Sequence, residues 1–501
     1  MNEWIEEEFG GVELGDRRLN ERLRRLLASK WEHPQRSLSA ACHGRAEIEA
    51  ACRFVDNPKA APDKILAPHR AAIVERIREG GYRRVLLVQD TSELDFTTHK
   101  KLEGSGPLAG PERRGFFAHN LLVVTPEERV PLGLWHTILH ARDDEDEDGK
   151  PDPKQLPIEA KETFRWLEGF REACALAGLV PECEVICLGD RESDIYDLFA
   201  EYEQRRAQGL PVAELLIRSC KDRRLESFDW PGETSVAAAE PAAAKSGPDK
   251  ILSRLAAAPV LGQVKFCVPE TIQRNKKVKG SRQPPVHRSA RKVTQEVKAI
   301  PIPLRPPYRR AAAGGTLPPV ELWVVEAREV APPAGEEPLV WVLLTTLPVA
   351  TYEQAVELLE VYLCRWEIEL LHRVLKSGCK VEEIQQRFDF RIEPVVVLYL
   401  IVAWRLLYLM RLGRACPDLP CDLVFEESEW KAVVVVLKGR PALAQKPTLG
   451  EMVHMVGELG GYVRRKNDPQ PGMKSMWIGF MRVADFARCW EAFGPSASDT
   501  T

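Results

Sequence analysis

The chain has 501 residues, of which 44% are hydrophobic and 29% charged, and a net charge of −4. That length allows two to four domains with a large core, and that balance excludes a disordered chain. A near-neutral total argues neither for nor against nucleic acid, so the placement of charge along the chain has to decide.

The opening, "MNEWIEEEFGGVELGDRRLNERL", is acidic and polar, with no apolar core of the secretory type, so no signal peptide is expected. Residues 1–75 read as a helical domain. "GDRRLNERLRRLLASKW" sets Leu19, Leu23, Leu26 and Leu27 at helical spacing with arginines between them, and "RAEIEAACRFVDNP" is a second helix. The arginines fit phosphates or a solvated face equally well.

From residue 76 to 225 the period changes. "RRVLLVQD" predicts a strand ending at Asp90, and "HNLLVVT" and "RVPLGLWHTILHAR" predict two more. A helix in "QLPIEAKETFRWLEGFREACALAG" leads to the strand "EVICLGD", ending at Asp190. A helix in "DIYDLFAEYEQRRAQG" precedes the strand "AELLIRSC". Hairpins followed by βαβ units predict an α/β mixed sheet with helices on both faces.

Residues 226–340 break that rhythm. An alanine-rich linker is followed by strand-like, proline-jointed pieces that predict an antiparallel insertion. Between Gln273 and Arg310, twelve lysines and arginines face one acid, Glu296. Such a ribbon suits phosphate contact, and Lys276, Lys277 and Lys279 near its start are candidate contacts. Residues 341–395 return to the strand "LVWVLLTT" and a long helix, and 396–501 read as helical. The apolar run "PVVVLYLIVAW" is cut short by Arg405 and reads as a buried helix, so no membrane partner is expected. The twelve cysteines lack zinc spacing and read as reduced core residues of a cytoplasmic protein.

"YLCRWEIELLHRVLKSG" carries the chemistry. On one continuous helix at about 100° per residue, Tyr362, Arg365, Glu369 and Lys376 share an arc of about 60°. Surface charge pairing, such as Arg365 with Glu369, is the plainer explanation. The alternative takes Asp90 and Asp190 at strand ends, the ligand-binding edge of an α/β sheet, with Glu369 as a third carboxylate. Three converging acids need a cation, and oxygen ligands select Mg²⁺ or Mn²⁺. Two such ions would serve phosphoryl displacement, with Arg365, Lys376 and Tyr362 holding the phosphate.

The Tyr-x2-Arg-x3-Glu-x6-Lys spacing resembles the YREK motif of DDE cut-and-paste transposases of the insertion sequence 4 family. "QDTSELDF" and "GDRESDIYDLF" resemble that family's two aspartate segments. The resemblance implies an RNase H-like catalytic domain in two parts (76–225 and 341–395) around a β-strand insertion. It also implies a helical DNA-binding domain at 1–75 and a helical dimerisation domain at 396–501. By position it implies Asp90, Asp190 and Glu369 as the catalytic, metal-binding triad for two Mg²⁺ ions, with Mn²⁺ able to substitute. Tyr362, Arg365 and Lys376 would contact DNA, Trp341 would stack on a flipped base, and Arg218 would lie near the active site. The implied activity is cleavage of transposon ends, through a hairpin in some relatives, and their joining to target DNA by a homodimer. A domesticated DNA-binding derivative and a related metal nuclease are the competing readings.

Overall fold

A computed structural model describes residues 3–110, 112–144, 156–226, 249–273, 286–307, 318–464 and 470–494. The chain forms two compact units. One comprises Met1–Lys150, Arg171–Val185 and Cys364–Thr501; the other comprises Pro151–Phe170 and Ile186–Leu363.

The chain opens with five helices: α1 (Glu3–Phe9), α2 (Arg17–Glu32), α3 (Leu38–Ala41), α4 (Arg45–Val55) and α5 (Pro62–Glu79). Four strands follow: β1 (Arg84–Asp95), β2 (Gly106–Pro107), β3 (Arg114–Val124) and β4 (Pro131–His140). Then come α6 (Phe164–Leu179), β5 (Glu184–Gly189), α7 (Tyr196–Ala207) and β6 (Glu214–Arg218). The next elements are α8 (Ile251–Ala257), β7 (Gly262–Val268), β8 (Thr271–Gln273), β9 (Val286–Arg288), β10 (Arg291–Leu304), β11 (Val320–Glu329) and β12 (Val340–Thr345). The rest is helical: α9 (Tyr352–Leu363), α10 (Trp366–Arg373), α11 (Asp389–Ala415), α12 (Glu427–Lys438), α13 (Leu449–Leu459) and α14 (Met473–Phe493). The α/β class and the helical ends agree with the sequence reading.

In the first unit, β3 pairs antiparallel with β1, β2 and β4. β1 does not stop at Asp90 as the sequence reading has it. It runs five residues further, to Asp95, because "TSELD" alternates and buries Ser92 and Leu94. Asp90 is therefore a mid-strand residue, opposite Asn120. In α2, Asp16 caps the N-terminus by accepting from the Arg18 amide, and the predicted leucine stripe buries Leu23, Leu26 and Leu27. The apolar run lies in a longer helix than its sequence suggested, the 27-residue α11. Among the described residues this is the one helix long and apolar enough to cross a membrane, and 83% of its most apolar window is buried within the protein. It is apolar all round because it is a core helix. Its Trp404 indole donates to the Pro131 carbonyl at 2.7 Å.

In the second unit, β5 and β6 are parallel, and β6, β12, β11, β10 and β7 follow as antiparallel neighbours. The insertion strands thus extend the pairing from β12 outward. Pro301 and Pro303 sit in the half of β10 beyond its pairing with β7, where a missing N–H leaves no ladder bond unmade. Lys276, Lys277 and Lys279 lie outside the described residues.

None of the twelve cysteines forms a disulfide. Six are buried, but Cys52, Cys220, Cys267 and Cys489 are exposed, so the core assignment holds for only part of the set.

Candidate active site

The predicted continuous helix is broken twice, and the breaks decide where its polar residues go. α9 ends at Leu363, and the Glu367 amide bonds the Cys364 carbonyl three residues back at 3.0 Å. A π-helical turn then spans Val374–Gly378, closed by the Cys379 amide on the Val374 carbonyl at 2.8 Å. Lys376 consequently lies on a π turn rather than on the α-helix that carries Glu369.

Within the first unit, Arg365 sits at the N-cap of α10 with its side chain largely buried. One guanidinium nitrogen donates to Asp90 Oδ2 at 3.3 Å and another to Glu369 Oε1 at 2.6 Å. A single guanidinium therefore bridges the two predicted acids, and the expected Arg365–Glu369 pairing is present. Asp90 Oδ1 accepts from the Thr91 amide at 2.8 Å. Lys376, on the π turn, pairs with Glu382 at 3.8 Å, and Glu382 accepts from the Asp95 amide at 2.9 Å. Among the described residues, no three His, Cys, Asp or Glu side chains gather into one metal-ligating cluster. Asp90 and Glu369 nonetheless offer what a divalent cation needs: hard oxygen donors already converging on one positive charge.

Asp190 belongs to the second unit. It follows β5 and caps the turn Arg191–Ser193, its carboxylate accepting from the Glu192 amide at 2.7 Å. Beside it, the Tyr362 hydroxyl donates to the Gly189 carbonyl at 3.4 Å. Tyr362 is buried and meets Trp341 edge to face; the Arg218 guanidinium lies 6.0 Å from the Trp341 ring centroid. Trp341 is only partly buried. Tyr362, Trp341 and Arg218 thus form one cluster near Gly189.

Three residues absent from the sequence reading matter here. Asp194 is fully enclosed; its carboxylate takes the Arg223 guanidinium at 2.7 Å and the Cys220 amide at 2.9 Å, and so fixes the segment after Arg218. Asn120 and His372 are buried polar groups joined at 3.0 Å. Burial pushes the His372 imidazole down to about 3, with the charges of Lys376 and Arg365 adding to it. The signal was present: "HN" interrupts an otherwise apolar strand, and a polar pair in a buried strand needs partners.

Comparison with known families gives matches at both ends of the chain. A family described as transposase DNA-binding matches residues 1–60. The transposase Tn5 dimerisation domain matches residues 401–500. Together they support a DNA transposase of the Tn5 type, with DNA and a second copy of the chain as partners.

Proposed function

We propose that this chain is a metal-dependent DDE transposase of the insertion sequence 4 family, acting on the ends of its element as a homodimer. The observation that carries the reading is the Arg365 bridge between Asp90 and Glu369, in a chain whose two ends match transposase DNA-binding and dimerisation families. Asp90, Asp190 and Glu369 would hold two Mg²⁺ ions, for which Mn²⁺ substitutes. Ions held by these residues would supply charge stabilisation at the entering and leaving oxygens of phosphodiester displacement.

The chain's own residues do the rest. Arg365 neutralises Asp90 and Glu369 before loading, then turns its fork to a DNA phosphate. Lys376 exchanges Glu382 for a second phosphate oxygen. Tyr362 and Trp341 border the strand end, where an aromatic face can receive an unstacked base during hairpin formation. Lys276, Lys277 and Lys279 add backbone affinity along the duplex. The same ends are then joined to target DNA. A DNA-associated, cytoplasmic location follows from this role.

The test uses the DNA that flanks the reading frame. A fragment carrying both flanks should be bound by the full chain and cut only when Mg²⁺ or Mn²⁺ is added. Binding without cutting under any divalent cation would replace this reading with a DNA-binding derivative. Cutting without joining would replace it with a nuclease.

A further inference from the structure

Beside the Arg365 bridge lies a second, buried tie to α10, made from β3, the strand paired with β1. Asp90 and Asn120 are register partners on β1 and β3, so their side chains leave one face of the pair. His372 lies three residues beyond Glu369 on α10, on the same side of the helix. Asn120 Nδ2 reaches His372 Nε2 at 3.0 Å. Thr137 Oγ1 donates to Asn120 Oδ1 at 2.8 Å, which turns the amide so that its NH₂ faces the imidazole. Nε2 is therefore the acceptor, and the ring carries its proton on Nδ1. Asn120 is fully buried and His372 is 7% exposed.

We propose that the Asn120–His372 hydrogen bond is a positioning device: it ties the strand residue beside Asp90 to the helix residue one turn from Glu369, and so sets the spacing of the two carboxylates for a divalent cation. This rests on the reading of Asp90 and Glu369 as metal ligands. Arg365 joins the acids directly, but through a long side chain that must let go when a cation or phosphate arrives. The Asn120–His372 bond does not run through Arg365, so it persists through loading. An apolar pair would hold α10 against β3 equally well, but without a directional bond to fix the distance.

The experiment measures Mn²⁺ affinity of the full chain by calorimetry, with mobility shift on flanking DNA alongside. His372→Leu should weaken Mn²⁺ binding by about tenfold or more, the usual scale for losing an outer partner of a ligand, and leave DNA binding unchanged. His372→Gln, whose carbonyl can accept from Asn120, should restore near wild-type affinity. Asn120→Ala should match His372→Leu, and the double variant should be no worse than either. Wild-type Mn²⁺ affinity in His372→Leu overturns the proposal. If that variant fails to fold, wild-type affinity in Asn120→Ala overturns it instead. Asp90→Asn separates the two levels. If it weakens Mn²⁺ binding and the pair variants do not, the positioning role alone fails. If it binds Mn²⁺ like wild type, the metal reading fails and takes this inference with it.

Discussion

Trp341 meets Tyr362 edge to face, with ring centroids 5.7 Å apart and planes inclined at 74°. The contact leaves the indole partly exposed while burying the phenol, so one aromatic face stays available beside a fixed one. Trp341→Ala should slow hairpin formation more than the first nick, because only the second step needs an unstacked nucleotide. Base stacking of about 1–3 kcal/mol sets the scale. A gel that resolves nicked from hairpinned ends checks this, and equal slowing of both steps would assign Trp341 to packing alone.

Asp90→Asn, Asp190→Asn and Glu369→Gln should each reduce end cleavage by about 100-fold or more, the scale of losing one preorganised charge-stabilising group. End binding should persist, since the matched DNA-binding region lies in residues 1–60. Cleavage time courses on pre-bound complexes make the measurement. A variant that cuts at the wild-type rate removes its residue from the triad.

Neutralising Lys276, Lys277 and Lys279 together should weaken DNA binding and flatten its salt dependence. Three lost phosphate contacts would lower the slope of log K against log salt by up to about 2.7, at about 0.9 per contact. Binding isotherms at several salt concentrations give the slope directly. An unchanged slope would turn this ribbon away from DNA.

Acid stability depends on a buried cluster of residues outside the candidate site. Glu8 takes a bidentate contact from Arg76 at 2.7 and 2.8 Å and accepts from His69 Nδ1, while His69 Nε2 accepts from the Leu134 amide at 2.9 Å. Burial opposes ionisation of Glu8, yet the His69 and Arg76 contacts hold its carboxyl down at about 2. Burial also lowers the His69 imidazole, consistent with a ring whose Nε2 lone pair is already used. Both folded pKa values lie below their unfolded ones. The stabilisation is therefore complete above the unfolded histidine value of about 6.5. It is lost as pH falls, first through His69 and then, below about 4.5, through Glu8. Glu8→Gln should move the acid-unfolding midpoint to higher pH and destabilise the chain by about 3–5 kcal/mol, the cost of breaking a buried pair. Circular dichroism against pH, with and without urea, checks both.

Much of this was legible in residue pattern. The leucine stripe of α2 and the alternation in "RKVTQEVKAIPI" placed those elements, and the polar interval from Arg365 to Glu369 is a true ion pair. Local periodicity could not reveal the two breaks flanking α10. Nothing between Leu363 and Trp366 is a helix breaker, so composition gives no sign of the turn there. The end of β1 was misread because Asp90 resembles a strand terminus until Asn120 is seen opposite it. Asn120 and His372 are far apart in sequence and meet only in the fold, so the polar interruption at "HN" could not name its partner.

The burial of α11 has a consequence for incomplete copies of this gene product. Its 27 residues pack against β4, α2 and α5, which are synthesised before it, and against α13 and α14, which are synthesised after it. A polypeptide terminated soon after Ala415 would emerge with one flank of that helix bare. Its hydrophobic length would then match a bilayer core of about 30 Å. Such fragments are expected to be captured by membranes or chaperones, or to aggregate, rather than to persist as competitors of the full-length protein. The helices that follow Ala415 therefore cover the flank of α11 that a shorter polypeptide would expose.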